Sequence, residues 1–149
     1  MKKRNLFIAT AALLSIAGAS FAGNAASPNF GGHAGAPNLN ASQNGYYQAL
    51  WIQNNSLDSI QETTTFYDGS QDTQGVCSGS SYSYDQALSP AQPSLHVHII
   101  DTEAGKYGYV LYDGQLNYNG SKYQKITIGP CASNSKNALP QVSVNTRGE

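Results

Sequence analysis

Ser59 to Tyr67 reads SIQETTTFY, and its alternation decides the fold. Ile60, Glu62, Thr64 and Phe66 fall on one side of an extended chain, and Gln61, Thr63, Thr65 and Tyr67 on the other, because successive side chains of a strand point to opposite faces. A helix would repeat its apolar residues three and four apart. This run instead carries β-branched residues at a period of two, the composition of a pleated strand. Asp68-Gly69 follows it, a pair that supplies the positive φ of a tight hairpin.

The same pattern extends in both directions. In GYYQALWIQ, Tyr47, Ala49 and Trp51 oppose Gln48, Leu50 and Ile52, so both faces of that strand are expected to be covered. Further strands are expected over Leu95 to Ile100, Tyr107 to Tyr112, Gln115 to Tyr118 and Lys122 to Ile128. Turn pairs punctuate them at Asp68-Gly69, Asp113-Gly114, Asn119-Gly120 and Gly129-Pro130. No segment of helical length carries an amphipathic stripe. Tyr84 to Leu88, stopped by Ser89-Pro90, is at most one helical turn. Six to eight short strands at this spacing predict an all-β domain, a small antiparallel β-sandwich or barrel, with the sandwich preferred.

Residues 1–22, MKKRNLFIATAALLSIAGASFA, place Lys2, Lys3 and Arg4 before an apolar run and end in small residues. That is the pattern of a secretory signal peptide, and its apolar run is shorter than the roughly 20 residues of a membrane span. Residues 23–44 are rich in Gly, Ala, Asn, Ser and Pro and read as a flexible leader, with His33 a passenger. Residues 45–131 form the expected β domain. Residues 132–149 form a polar tail in which Leu139 to Val144 is a candidate edge strand. The protein is therefore expected to be exported, periplasmic or secreted, without membrane insertion. Beyond residue 22 stand five basic residues against nine acidic ones, a formal charge of −4. The five are scattered, which argues against nucleic acid, whose phosphates require clustered cations. Cys77 and Cys131 are the only cysteines. In an oxidising compartment they are expected to form one disulfide, limiting the unfolded chain by about 4 kcal/mol in the loop-entropy view.

The chemistry-bearing stretch is Pro93 to Ile100, PSLHVHII. Leu95, Val97 and Ile99 point one way and His96 and His98 the other, so the two imidazoles share a face. Over His96 to Ile99 the strand resembles the copper-ligand strand of copper-zinc superoxide dismutases, but only His33 remains as a further histidine. From His96 to Gly114, HVHIIDTEAGKYGYVLYDG, the chain is similar to the first cupin motif. That resemblance implies one transition-metal ion held by His96, His98 and Glu103 in a small metal-dependent enzyme. The competing reading is a core strand with two outward imidazoles and no cofactor, followed by a turn from Asp101 to Gly105. No nucleophile elbow and no phosphate-binding glycine loop is present.

Ten tyrosines are the other anomaly. Tyr82 with Tyr84, and Tyr107 with Tyr109, share faces by alternation, and tyrosine joins stiff apolar area to a polar tip. These four are the candidate binding residues. The leading expectation is a non-catalytic exported binding protein whose partner is a protein or a carbohydrate: a glycan, a secreted enzyme or a host surface.

Overall fold

The computed structural model describes residues 32–39, 46–131 and 138–147, apart from the side chains of residues 131, 146 and 147. The segment read as a signal peptide lies outside them, as does most of the leader. Among the described residues the structure is all β, and no helix is long and apolar enough to cross a membrane. Nine strands run in order: β1 (Gly32–Ala34), β2 (Gln48–Asn54), β3 (Ile60–Phe66), β4 (Gln71–Val76), β5 (Ser81–Leu88), β6 (Ser94–Asp101), β7 (Val110–Asn117), β8 (Tyr123–Cys131) and β9 (Pro140–Arg147). Five form one sheet in the order β1-β5-β2-β8-β9, and four form the other in the order β4-β3-β6-β7.

The alternation of SIQETTTFY holds. Ile60, Glu62, Thr64 and Phe66 are buried, while Gln61, Thr63 and Thr65 face outward. Leu50 and Ile52 of β2 meet them from the opposite sheet, with Leu95, Val97 and Ile99 of β6 and Ile126 and Ile128 of β8 completing the layer. The inner faces of two sheets thus form one core, as in sandwiches generally. Trp51, on the outer face of β2, lies under Lys125, whose Nζ is 3.7 Å from the ring centroid, and meets Tyr123 edge-on.

Several local expectations change. Gly69 and Gly120 have φ of +84° and +77°, the positive values their pairs predict; Gly69 closes the β3–β4 hairpin, whereas Gly120 lies on the β7–β8 crossover between the two sheets and not in a hairpin. Asp113-Gly114 instead sits in mid-strand, joining two expected strands into one β7. A Cβ on Gly114 would stand 2.6 Å from the Tyr112 hydroxyl, so the glycine is there to admit a ring, not to turn the chain. Gly129-Pro130 lies inside β8, where the register with β9 shifts between Ile128 and Cys131. Proline is tolerated there because no ladder donor is required of it. Tyr84 to Leu88 is strand, not helical turn. Gly32–Ala34, within the expected leader, pairs antiparallel with β5. The expected edge strand at Leu139 to Val144 appears as β9. The sheets are mainly antiparallel, but β2 and β8 run parallel, from Ala49↔Tyr123 to Asn54↔Ile128. No disulfide is found among the described residues: Cys77 is exposed and free, and the side chain of Cys131 lies outside them.

Candidate functional site

The β2–β3, β4–β5 and β6–β7 connections gather at one end of the sandwich, since Asn54 meets the start of β5 while Ile60 pairs with both Val76 and Asp101. The β2–β3 loop is held from within. Asn54, fully buried, donates through Nδ2 to the Asp58 and Val76 carbonyls at 2.8 and 3.0 Å. Its Oδ1 accepts from the Ser56 hydroxyl at 2.6 Å and the Ser56 N–H at 3.1 Å. Asp58 Oδ2 then accepts from Lys106 Nζ of the β6–β7 loop at 2.7 Å, both side chains being largely buried. The Thr102 hydroxyl and N–H both donate to the Ser59 carbonyl, fastening the two loops again. Asp101 is fully buried and feels the charges of both Asp58 and Lys106. Burial pushes its carboxyl above the usual range, and nearby Asp58 adds to the rise against the pull of the Glu103 N–H and Lys106.

This polar brace holds apolar residues out in water. Leu57 is 90 % exposed, and Tyr107 and Tyr109 are 72 and 55 % exposed, with Val110 open beside them in sequence. Leu57 and Tyr107 each adjoin a member of the Asp58–Lys106 bridge. The alternative arrangement, a leucine folded back into the core, is closed to a loop whose own polar groups occupy the interior.

The outer face of the four-stranded sheet carries the two imidazoles. His98 stands directly across from Asp113 of β7, and His96 across from Gln115, one rung along. His96 Nε2 is 2.7 Å from Asp113 Oδ1, and His98 Nδ1 is 3.8 Å from the same oxygen. The carboxylate that meets the histidines is therefore Asp113. Glu103 is exposed in the turn after β6, where its N–H donates to Asp101 Oδ1.

The four candidate tyrosines separate into two environments. Tyr107 and Tyr109 are on the exposed loop end. Tyr84 is 1 % exposed, and its hydroxyl donates to Glu62 Oε2 at 3.1 Å. Tyr82 packs edge-on against it, half-buried at the core margin, because both belong to the inward face of β5. Tyr84 therefore offers a ligand no surface. Glu62 is itself fully buried, and the Thr64 hydroxyl donates to its other oxygen. Burial raises its carboxyl to about 7 against the lowering effect of those two hydroxyls, with Asp72 adding slightly to the rise.

Leu57, the Asp58–Lys106 bridge and Asp113 escaped sequence reasoning. Leu57 had no periodic neighbours to mark it, and the bridge joins residues 48 apart in sequence. Asp113 was masked by its turn-like pairing with Gly114. Glu62 carried a signal, since its alternation with Ile60 and Phe66 already placed a carboxyl on an apolar face.

No family model and no curated protein matches the chain. Among solved structures it is similar to a protein from Eubacterium rectale determined by NMR, at 18 % identity and a TM-score of 0.44, covering 68 % of this chain and 90 % of that one. It is similar to the cryo-EM membrane pore complex of pneumolysin, at 15 % identity and a TM-score of 0.48, covering 70 % of this chain and 24 % of that one. A non-hemolytic pneumolysin from Streptococcus pneumoniae gives 13 % identity and a TM-score of 0.47, covering 68 and 24 % respectively. The chain thus spans about a quarter of the length of these pneumolysins.

Proposed function

We propose that this protein is a non-catalytic exported binding protein, periplasmic or secreted, that engages a protein partner through the loop end carrying Leu57, Tyr107 and Tyr109. The observation that carries the reading is a leucine 90 % exposed on a loop fixed by buried hydrogen bonds and a largely buried ion pair. Apolar area held in water contributes nothing to the fold, whereas covering it contributes about 25 cal/mol per Å². A braced loop also loses little freedom on docking, which favours affinity. An exposed leucine together with two exposed tyrosines on bridged loops suits a protein surface better than a sugar, whose recognition relies on aromatic faces and hydrogen bonds. The lysine at this end is bonded to Asp58 and supplies no cationic cluster for anionic headgroups.

Immobilised protein and a Leu57→Ser/Tyr107→Ser variant, exposed to the exported proteins of the source organism, test this. Both substituted residues are exposed, so the variant should keep its fold, checked by circular dichroism. The expected result is at least one partner retained by the parent protein and reduced about tenfold or more by the variant, as loss of anchor residues implies. Equal retention by both, or retention only of glycans, would remove the proposal.

Export also implies the Cys77–Cys131 disulfide. Its support is placement: Cys77 follows Val76, which Asn54 binds, and Asn55 donates to the Ile128 carbonyl three residues before Cys131. Protein from an oxidising compartment should resist thiol alkylation until reduced, then take up two labels per chain. Two labels without reductant would refute the bond.

A further inference from the structure

We propose that His96, His98 and Asp113 form a surface site for one divalent transition-metal ion of the zinc, nickel or copper type. Both imidazoles project from the outer face of β6 and bring a ring nitrogen within 4 Å of the same oxygen, Asp113 Oδ1. Two donors each about 2.1 Å from a metal stand about 3.0 to 3.4 Å apart at octahedral or tetrahedral angles. The observed separations, 2.7 Å for His96 and 3.8 Å for His98, bracket that spacing. As placed, no group of three or more His, Cys, Asp or Glu among the described residues, these three included, could hold an ion. The proposed site is accordingly one that three half-exposed side chains must rearrange to close, not a preformed cage. Imidazole and carboxylate together favour late first-row ions over magnesium or calcium, which take oxygen alone.

The surroundings permit this. Thr63 and Thr65 stand beside His98 and His96 in register on β3, and Thr73 and Gln71 continue the two rungs on β4. All are neutral, so no cation in those rungs opposes an incoming ion. The open sheet face leaves further coordination positions to water or to a donor from another molecule. The ligand set differs from the one implied by the cupin resemblance, with Asp113 of the adjacent strand in place of Glu103. The site lies on the sheet face, not on the Leu57 loop end, and stands independently of the proposed protein partner.

The test is calorimetric titration of untagged, chelator-stripped protein with zinc, nickel and copper salts, alongside single variants. One ion should bind per chain, and the thermal midpoint of the parent protein should rise with metal, as binding to the native state requires. His96→Ala, His98→Ala and Asp113→Asn should each weaken binding by about tenfold or more, while Glu103→Gln and His33→Ala bind as the parent does. The substituted ligands are half-exposed on the outer sheet face, so each variant should match the parent in circular dichroism. No uptake of any of the three ions would overturn the proposal, as would parent-like binding by Asp113→Asn. An equal loss in Glu103→Gln or His33→Ala would overturn the ligand assignment.

Discussion

Glu62 places an acid between two sheets, and its ionisation must be felt by the whole sandwich. Its carboxyl rises from 4.5 to about 7 chiefly because burial penalises the charged form. The folded state therefore holds this proton more tightly than the unfolded chain. Its contribution is fully present below about pH 4.5 and is lost as pH climbs through about 7. A shift of this size corresponds to roughly 3 kcal/mol across the window. Denaturant unfolding at intervals from pH 5 to 8.5 should show stability falling with pH. In Glu62→Gln that fall should largely disappear, leaving the variant more stable than the parent at pH 8.5. A parent curve that is flat over this range would contradict the burial of an ionisable Glu62. The face that holds Glu62 was legible in SIQETTTFY, because alternation alone groups it with Ile60 and Phe66. Its partner was not, since the Tyr84 hydroxyl reaches it from a strand in the other sheet.

At the scale of the element, the β2–β3 loop stands because its polar groups are satisfied internally. Removing Lys106 would leave Asp58 largely buried without its cation, a loss of about 3 kcal/mol for a pair of this kind. Lys106→Met should therefore lower the denaturation midpoint strongly, whereas Lys122→Met, at an exposed position, should change it little. Equal midpoints for the two variants would show that the bridge does not fasten the loops. Dipeptide signals locate positive φ at Gly69 and Gly120, although only Gly69 closes a hairpin. They misled at Gly114, because the same residue also serves where a neighbouring ring needs space. The local sequence around Asp113-Gly114 does not distinguish the two uses. The distinction depends on where the Tyr112 ring lies.

At the scale of the whole molecule, the sandwich was legible from strand spacing, and the composition of each sheet was not. Hairpin turns imply that neighbours in sequence pair, which holds for β3 with β4 and for β6 with β7. It fails for β2, which crosses to the other sheet from β3 and lies between β5 and β8. Alternation constrains which residues of a strand face inward but says nothing about which strand lies beside it. The tyrosines show the same limit. Tyr82 with Tyr84 and Tyr107 with Tyr109 have the same spacing, yet one pair packs toward the core and the other stands on a loop end.

The parallel pairing of β2 with β8 also sets an order in time. The four strands β3, β4, β6 and β7 lie within residues 60–117 and can pair among themselves without the rest of the chain. Strand β2 precedes them in the chain, yet one of its two edges stays open until Tyr123 to Ile128 docks on it. Closing so long a loop is slow, and pairings of this range place β proteins among millisecond-to-second folders. During that interval Leu50 and Ile52 remain uncovered by Ile126 and Ile128, so the folding chain is most exposed to misassociation just before its last strands dock.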